Sequence, residues 1–389
     1  MKRASPERLL YLSPSPLSSF AQRPHHFVHW FHQRFDAPVF WIDPGPSRLP
    51  RASDWPRLVR YMRRISDRMK GRTPPPALGP VWRHEAWLSH VTAQVLPLEP
   101  FALGRRINQL LWHSLFQRTD AFVNPDTVLV MGKPCALSLA LLKRYPQNHC
   151  VFDAMDYMPG FCTGVSRQWM VQAETQLARQ SHAIWASSHA LAHGHAQQAG
   201  KVSLVLNALT IPPDQTLVTR AIQSVPVLGY LGVIDRWFDW ALVSNMARQH
   251  PEVLIRLIGP IHCAPPMALP ANVQCLPPVP QHQVYEAMSG FDVGLIPFAL
   301  NDVTRYVDPV KYYEYRALGL PVLSTRFGEM AHRSAGDGVY FWDQLQNAEI
   351  GLSFLLKARA DEQERQTFCA NNTWAQRFDA HAHTLVAKR

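Results

Sequence analysis

Long apolar runs are missing from this 389-residue chain, although 47% of its residues are hydrophobic. Apolar stretches are interrupted early, as between residues 127 and 142, where Lys133 and Pro134 intervene. None approaches the ~18 uncharged residues that a membrane-spanning helix needs. Residues 1–12 place basic side chains before an apolar run, but that run is short and lacks a small-residue cleavage site. The sequence therefore predicts no transmembrane helix, and a first β-strand rather than a secretory signal.

Cysteine is scarce as well, and this limits the classes of protein to consider. The six cysteines are scattered and form no Cys-x-x-Cys pair, which argues against a zinc cage and against a disulfide scaffold. A reduced, cytoplasmic setting is expected. No Gly-x-Gly-x-x-Gly follows the first predicted strand, which argues against an oxidoreductase that binds a dinucleotide.

Acidic residues are outnumbered, with 29 Asp and Glu against 39 Lys and Arg. The excess lies in residues 1–210, which hold 24 basic and 12 acidic residues, whereas residues 211–389 hold 15 and 17. In residues 57–72, apolar side chains recur at helical spacing among seven cations. Such a helix either lies on an anionic membrane surface or packs its apolar stripe into the core, and the pattern leaves both open. No nucleic-acid-binding signature accompanies the charge, so no nucleic-acid partner is expected.

Short β-branched or leucine-rich runs alternate with longer helical patterns, which predicts parallel sheets with crossover helices. A loop-like segment at 207–224 separates two sets of strands, so we expect two Rossmann-like, doubly wound α/β domains that face each other across a ligand cleft. The predicted domains are residues 1–210 and 211–370, followed by a helical segment at 371–389. The predicted strands are 9–12, 39–42, 127–131, 150–153, 183–187, 202–206, 225–231, 253–258, 273–276, 293–298, 321–324 and 338–341.

The most informative stretch is 308–325, Asp-Pro-Val-Lys-Tyr-Tyr-Glu-Tyr-Arg-Ala-Leu-Gly-Leu-Pro-Val-Leu-Ser-Thr. Lys311 and Glu314 lie one helical turn apart, a spacing that is usually an ordinary surface salt bridge. Here buried strands are predicted before and after the helix, which places its first turn at the ligand-binding edge of an open parallel sheet. A helix N-terminus with one cation and one anion suits the phosphates and hydroxyls of a nucleotide sugar.

Several segments match a known group of enzymes in order. In the second half they are Leu-Gly-Tyr-Leu-Gly-Val-Ile-Asp-Arg-Trp-Phe-Asp at 228–239, Leu-Ile-Gly-Pro at 257–260, Phe-Asp-Val-Gly-Leu-Ile-Pro-Phe at 291–298, and residues 309–321. In the first half they are residues 23–26, 151–157 and 186–191. The chain resembles family-4-like glycosyltransferases of the GT-B fold, especially bacterial exopolysaccharide enzymes such as the xanthan glucuronosyltransferase. The resemblance implies that the C-terminal helix returns toward the first domain.

The resemblance also implies a donor site in the second domain. The residue matching Glu314 holds the nucleotide ribose, because a carboxylate accepts two vicinal hydroxyls, and the one matching Lys311 offsets phosphate charge. Gly232, where a missing Cβ lets the backbone approach the donor, is a further donor residue, as are Gly259 and Tyr315. Many relatives carry a second glutamate eight positions before Glu314. Tyr306 stands there in this chain, which argues against the retaining members that use paired acids.

The candidate catalytic base is Asp156, three positions beyond the end of the predicted strand 150–153. An inverting transfer needs a base to take the proton of the acceptor hydroxyl, and a carboxylate near the acceptor can do this. The rival is Asp153, which could instead cap the loop after the strand.

The acceptor side is assigned to Arg23 and His25. The spacing of His25 and His29 could place two imidazoles on one helix face for a metal. No nearby carboxylate or cysteine completes that set, and such transferases neutralise phosphate with cations and helix dipoles. We therefore expect no metal and no cofactor.

The sequence thus predicts a cytoplasmic glycosyltransferase, peripheral at the inner face of the plasma membrane, that transfers a hexosyl or uronosyl group. The donor is a nucleoside-diphosphate sugar, with UDP favoured, and the acceptor is a glycan or lipid-linked acceptor in exopolysaccharide or cell-surface polysaccharide synthesis. An anionic membrane surface is a further expected partner. The alternative is a non-catalytic sugar-nucleotide-binding partner of a polysaccharide assembly.

Overall fold

The structure is a computed structural model that describes residues 6–49, 84–210 and 225–386. The chain divides into two compact units. Unit 1 comprises residues 1–186, 194–204 and 378–389, and unit 2 comprises residues 187–193 and 205–377. The predicted basic helix at 57–72 lies outside the described residues.

Unit 1 is built on a seven-stranded sheet in the order β3-β2-β1-β4-β5-β6-β7, in which all pairs are parallel. The central strands are covered on both faces, which is why they read as continuous apolar runs. Leu9 and Leu129, for example, are fully buried. The strands are β1 (Arg8–Leu12), β2 (Val39–Asp43), β3 (Leu88–Thr92), β4 (Thr127–Met131), β5 (Cys150–Ala154), β6 (Ala183–Ala186) and β7 (Val202–Leu204).

The helices of unit 1 connect these strands. Pro24 lies in the first turn of the first helix, where its missing N–H costs nothing. The last helix begins in unit 2 and ends in unit 1, where Phe378 stacks on Trp185 with ring centroids 5.9 Å apart. The helices are α1 (Arg23–Phe35), α2 (Ala102–Leu111), α3 (His113–Phe122), α4 (Ala136–Arg144), α5 (Gly164–Gln180) and, at the C-terminus, α13 (Trp374–Asp379).

Unit 2 contains a six-stranded sheet in the order β10-β9-β8-β11-β12-β13, again with parallel pairs. Its strands are β8 (Val227–Leu231), β9 (Leu254–Ile258), β10 (Val273–Leu276), β11 (Val293–Ile296), β12 (Val322–Ser324) and β13 (Val339–Phe341). Its helices are α6 (His189–Gly194), α7 (Trp240–Gln249), α8 (Val284–Ser289), α9 (Val310–Ala317), α10 (Trp342–Gln346), α11 (Leu352–Lys357) and α12 (Glu362–Asn371).

The twelve predicted strands are all present, with ends that differ by a few residues. The strand that the sequence did not predict is β3, an edge strand that reads Leu-Ser-His-Val-Thr and is largely exposed. The units divide near residue 205, with Ser187–His193 assigned to unit 2, whereas the prediction placed one boundary after residue 210. Among the described residues, no helix is long and apolar enough to cross a membrane.

Candidate functional site

The turns after β8 and β9 form one end of the unit 2 sheet, and each contains a predicted donor residue. Gly232 follows β8, and its backbone N–H donates to the Ile258 carbonyl oxygen at 2.9 Å. Gly259 follows β9 with φ +143°, and a Cβ at this position would lie 2.0 Å from the Gly232 carbonyl oxygen. Because the second turn has room only for glycine, the two backbone segments are held against each other.

Lys311 and Glu314 lie on the first turns of α9, next to these glycines. The Lys311 Nζ is 2.6 Å from Glu314 Oε2, and the two side chains are only 23% and 17% exposed. A Cβ built on Gly232 would lie 3.4 Å from the Lys311 Cε. The structure therefore brings together Gly232, Gly259, Lys311 and Glu314 at the carboxyl edge of one sheet, where open parallel sheets bind ligands.

A buried polar network that the sequence did not indicate fixes the start of α9. Asp308, two residues before the helix, is 3% exposed. Its carboxylate accepts hydrogen bonds from the Arg333 guanidinium at 2.7 Å, the Tyr313 hydroxyl at 2.8 Å and the Asn207 backbone N–H at 2.7 Å. The Arg333 guanidinium also lies over the Tyr312 ring at 3.7 Å. This network holds the helix that carries Lys311 and Glu314. In the sequence, the only sign of this network is an aspartate that precedes a proline.

Tyr315 does not fit the predicted role of a donor contact. Its side chain is fully buried in the unit 2 core, where the ring fills the space beside Gly294. The hydroxyl accepts a hydrogen bond from the Leu231 backbone N–H at 3.1 Å. Tyr315 therefore positions the end of β8, immediately before Gly232, and lies too deep to touch a donor directly.

Arg23 and His25, predicted to line the acceptor side, are buried inside unit 1. The Arg23 Nε donates to Asp153 Oδ1 at 2.9 Å, and both side chains are 1% exposed. The Tyr11 hydroxyl donates to the other Asp153 oxygen at 3.1 Å. His25 is fully buried, and its Nε2 lies 3.3 Å from the Leu17 carbonyl oxygen. Both predictions therefore need correction, because the first turn of α1 faces the core, where Arg23 balances a buried carboxylate.

Asp156 differs from Asp153 in that it is half-buried beyond the end of β5. Burial raises the pKa of Asp156 to about 7, the Arg23 charge acts in the opposite direction, and the Asp153 charge raises the pKa further. A carboxylate with a pKa near neutrality has the basicity that a general base needs. Asp153, in contrast, is engaged in the buried ion pair. Of the two candidates, Asp156 is the one that is not fully buried.

Comparisons with known proteins bear on the fold of the chain. No family model matches the chain. Over 273 residues the chain is 29% identical to a protein of Bacillus subtilis (strain 168) provisionally named as the teichuronic acid biosynthesis glycosyltransferase TuaH. The alignment covers 62% of this chain and 67% of that protein. The structure of HepE from Anabaena in complex with UDP-glucose matches with a TM-score of 0.62 at 13% identity, over 97% of this chain and 99% of HepE.

The lipopolysaccharide outer core galactosyltransferase WaaB, in its apo form, matches with a TM-score of 0.58 at 10% identity, over 97% of this chain and 99% of WaaB. The chain has the GT-B fold. The predicted fold class is therefore confirmed, and so is the predicted resemblance to glycosyltransferases. Within this GT-B chain, the roles of Asp156, Lys311, Glu314, Gly232 and Gly259 remain predictions.

Proposed function

We propose that this GT-B glycosyltransferase moves a sugar from a UDP-sugar to a glycan or lipid-linked acceptor in the synthesis of a bacterial exopolysaccharide or cell-surface polysaccharide. The observation that carries the proposal is the juxtaposition of Lys311 and Glu314 with the turns at Gly232 and Gly259. Support comes from HepE, whose structures contain UDP-glucose, UDP, or UDP and glucose. TuaH is named for teichuronic acid biosynthesis and WaaB for the lipopolysaccharide outer core.

The donor interacts with both members of the Lys311–Glu314 pair. The ribose hydroxyls donate to the Glu314 carboxylate, and the Lys311 ammonium lies against the pyrophosphate. Each side chain then exchanges its present partner for a group of the donor, so neither charge is left buried and unpaired. The glycine turns, which have no Cβ, let the phosphates approach the backbone closely, while the N–H groups of Gly232 and Gly259 themselves donate to the Ile258 and Leu276 carbonyl oxygens. We propose that this arrangement offsets the phosphate charge without a bound metal or cofactor.

The proposed reaction inverts the anomeric centre. Asp156 in unit 1 takes the proton of the acceptor hydroxyl as that oxygen attacks the anomeric carbon. The bond between the anomeric carbon and the UDP oxygen breaks, and UDP leaves with its negative charge balanced by Lys311. The alternative function is that of a non-catalytic binding partner. In such a protein the donor residues would bind the sugar nucleotide in the same way, but Asp156 would have no reaction to assist.

We further propose that the protein works in the cytoplasm, against the anionic inner face of the plasma membrane. Unit 1 contributes a described surface to this contact. On α2, Leu103 is 70% exposed and Leu110 is 78% exposed, and Arg106 is exposed on the same helix. Exposed leucines beside cations suit an anionic lipid surface. Sedimentation with vesicles that contain phosphatidylserine should detect binding that weakens as ionic strength rises. Equal binding to neutral vesicles would contradict the charge-based contact.

A UDP-release assay tests the proposed activity. Purified protein is incubated with UDP-glucose, UDP-galactose or UDP-glucuronate, and UDP is measured with water or a glycan extract as acceptor. We expect UDP release from one donor, at a rate that is unchanged when Mg²⁺ or Mn²⁺ is added. Release that requires one of these ions would contradict the metal-free mechanism. UDP-sugar binding without any release, even with the acceptor extract, would favour the non-catalytic alternative.

A further inference from the structure

Two segments of unit 2 bring two imidazoles and a carboxylate together. His189 is the first residue of α6, while Glu329 and His332 lie on the 3-10 helix Gly328–His332. One ligand atom from each of the three side chains lies within 4.8 Å of the other two. The His189 Nδ1 is 2.9 Å from Glu329 Oε2, and the ring centroids of His189 and His332 are 4.6 Å apart.

We propose that His189, Glu329 and His332 bind a divalent transition metal ion of the Zn²⁺ class. Zinc accepts neutral imidazole nitrogens and carboxylate oxygens at ~2.0–2.2 Å, usually with tetrahedral geometry. Ligand atoms around such an ion are separated by ~3.3 Å, which small side-chain rotations reach from the present distances. Water completes the coordination as the fourth ligand. The two histidines are exposed while Glu329 is 3% exposed, so the ion can enter from solvent and meet a buried carboxylate.

Glu329 also has a structural role, which must be separated from metal binding. Its Oε1 accepts a hydrogen bond from the His189 backbone N–H at 2.5 Å, at the beginning of α6. This contact accounts for the burial of the carboxylate. It does not account for the second imidazole, that of His332, beside the same carboxylate, and an ion explains all three side chains at once. A glutamine at position 329 keeps an acceptor for the N–H but loses the charge, which makes the two roles separable.

The position of the site indicates what the ion would do. The Glu329 backbone N–H donates to the Val307 carbonyl oxygen at 3.1 Å. Arg333, the residue after His332, forms the ion pair with Asp308 that fixes the start of α9. An ion that joins α6 to the 3-10 helix therefore stabilises the segment that holds the donor helix. This proposed role is structural and takes part in no step of the transfer, so it is compatible with a transfer reaction that uses no metal.

Metal titration of tag-free, chelator-treated, full-length protein tests the site. Zn²⁺ binding is followed by calorimetry, and Co²⁺ binding by its visible absorption, in the wild type, His332→Gln, Glu329→Gln and the control His113→Gln. His113 is an exposed histidine on α3 of unit 1. We expect the wild type and the control to bind one ion with tetrahedral geometry. His332→Gln and Glu329→Gln should bind it about tenfold more weakly or worse. Zn²⁺ should raise the melting temperature of the wild type and the control, and not that of the two site variants.

Equal affinity in all four proteins would overturn the proposal, because any bound ion would then lie elsewhere, for example on exposed cysteines. A wild type that binds neither ion would also overturn it. Nucleotide binding is measured separately on the same samples. A failure of the metal site therefore leaves the donor-site proposal untouched, and the reverse also holds.

Discussion

The two units use the same sheet plan but differ at the carboxyl ends of their strands. In each, the first strand of the unit is central, the next two lie to one side, and the later ones lie to the other. In unit 1, the ends of β1 and β5 are occupied by the buried pair of Arg23 and Asp153, to which Tyr11 adds a hydrogen bond. In unit 2, the corresponding edge has glycine turns and the partly exposed Lys311–Glu314 pair.

This difference shows that topology alone does not make a nucleotide site. A parallel α/β sheet provides an edge where ligands can bind, but the local residues decide whether the edge is open. An arginine and an aspartate that neutralise each other inside the core leave no charge for a ligand. Glycine turns beside the partly exposed Lys311–Glu314 pair leave space, together with two charged groups that a ligand can engage. We therefore place the proposed donor site in unit 2, and Asp156 of unit 1 stays the proposed base.

The largest effect is expected from Asp156→Asn, which removes the proposed base. Turnover should fall by roughly 100- to 10,000-fold, while UDP binding, measured by calorimetry, stays unchanged. The variant should remain folded, because burial disfavours the charge that it removes. Asp343→Asn makes the same chemical change at an exposed position and should leave turnover as it is. If Asp156→Asn keeps wild-type turnover, the base lies elsewhere.

The arginine of the buried pair provides the next largest effect, and this effect is on stability. Arg23→Ala leaves the Asp153 carboxylate buried without its partner, which should lower the free energy of unfolding by about 3–5 kcal/mol. Chemical denaturation measures this change. Arg34→Ala removes an arginine from the same helix whose side chain is 58% exposed, and it should cost far less. A raised KM for the acceptor with unchanged stability would restore the role that the sequence suggested for Arg23.

Gly259→Ala tests the close approach of the two turns in unit 2. The added methyl group would meet the Gly232 carbonyl oxygen, so the turns must separate, at a cost of about 1–3 kcal/mol in stability and with weaker UDP binding. Gly200→Ala is the matched control, because a Cβ there meets nothing within 4 Å. Denaturation and UDP titration of both variants check the prediction. Equal stability of the two variants would mean that the turns are not in close contact.

The pH profile gives a smaller effect. Because the pKa of Asp156 is raised to about 7, a base with this pKa is protonated and inactive below neutrality. We expect kcat/KM for donor transfer to rise as pH increases through about 7 and then to level off. Stopped assays across this range, with protein stability measured in parallel, check the profile. A rate that keeps its full value down to pH 5 would be inconsistent with Asp156 as the base.

Much of the fold could be read from the sequence, because buried parallel strands are continuous apolar runs. The twelve predicted strands and the separation into two α/β sets follow from that pattern. The edge strand β3 was not predicted, because its sequence Leu-Ser-His-Val-Thr lacks an apolar face. The assignment of residues 187–193 to unit 2 rests on tertiary contacts, which no local pattern in the sequence shows.

The site was predictable where local spacing decides it, and not where burial decides it. Lys311 and Glu314 share a face because they are three residues apart on a helix. Tyr315, the next residue, is turned into the core by that same periodicity, so its hydroxyl supports a strand instead of a ligand. Arg23 lies next to a proline and two histidines, and nothing in that order shows that its partner is Asp153, 130 residues away. Long-range pairs of this kind need the folded chain.

Calorimetric titration with UDP, GDP and ADP, on the wild type and on Glu314→Ala, is the decisive test of the donor site on α9. UDP should bind the wild type, and Glu314→Ala should weaken this binding by about 1.5–3 kcal/mol, roughly 10- to 150-fold, because the ribose loses a charged acceptor. Glu286→Ala, at an exposed glutamate of α8, should bind UDP as the wild type does. If no nucleotide binds, or if Glu314→Ala binds as tightly as the wild type, α9 is not the donor site.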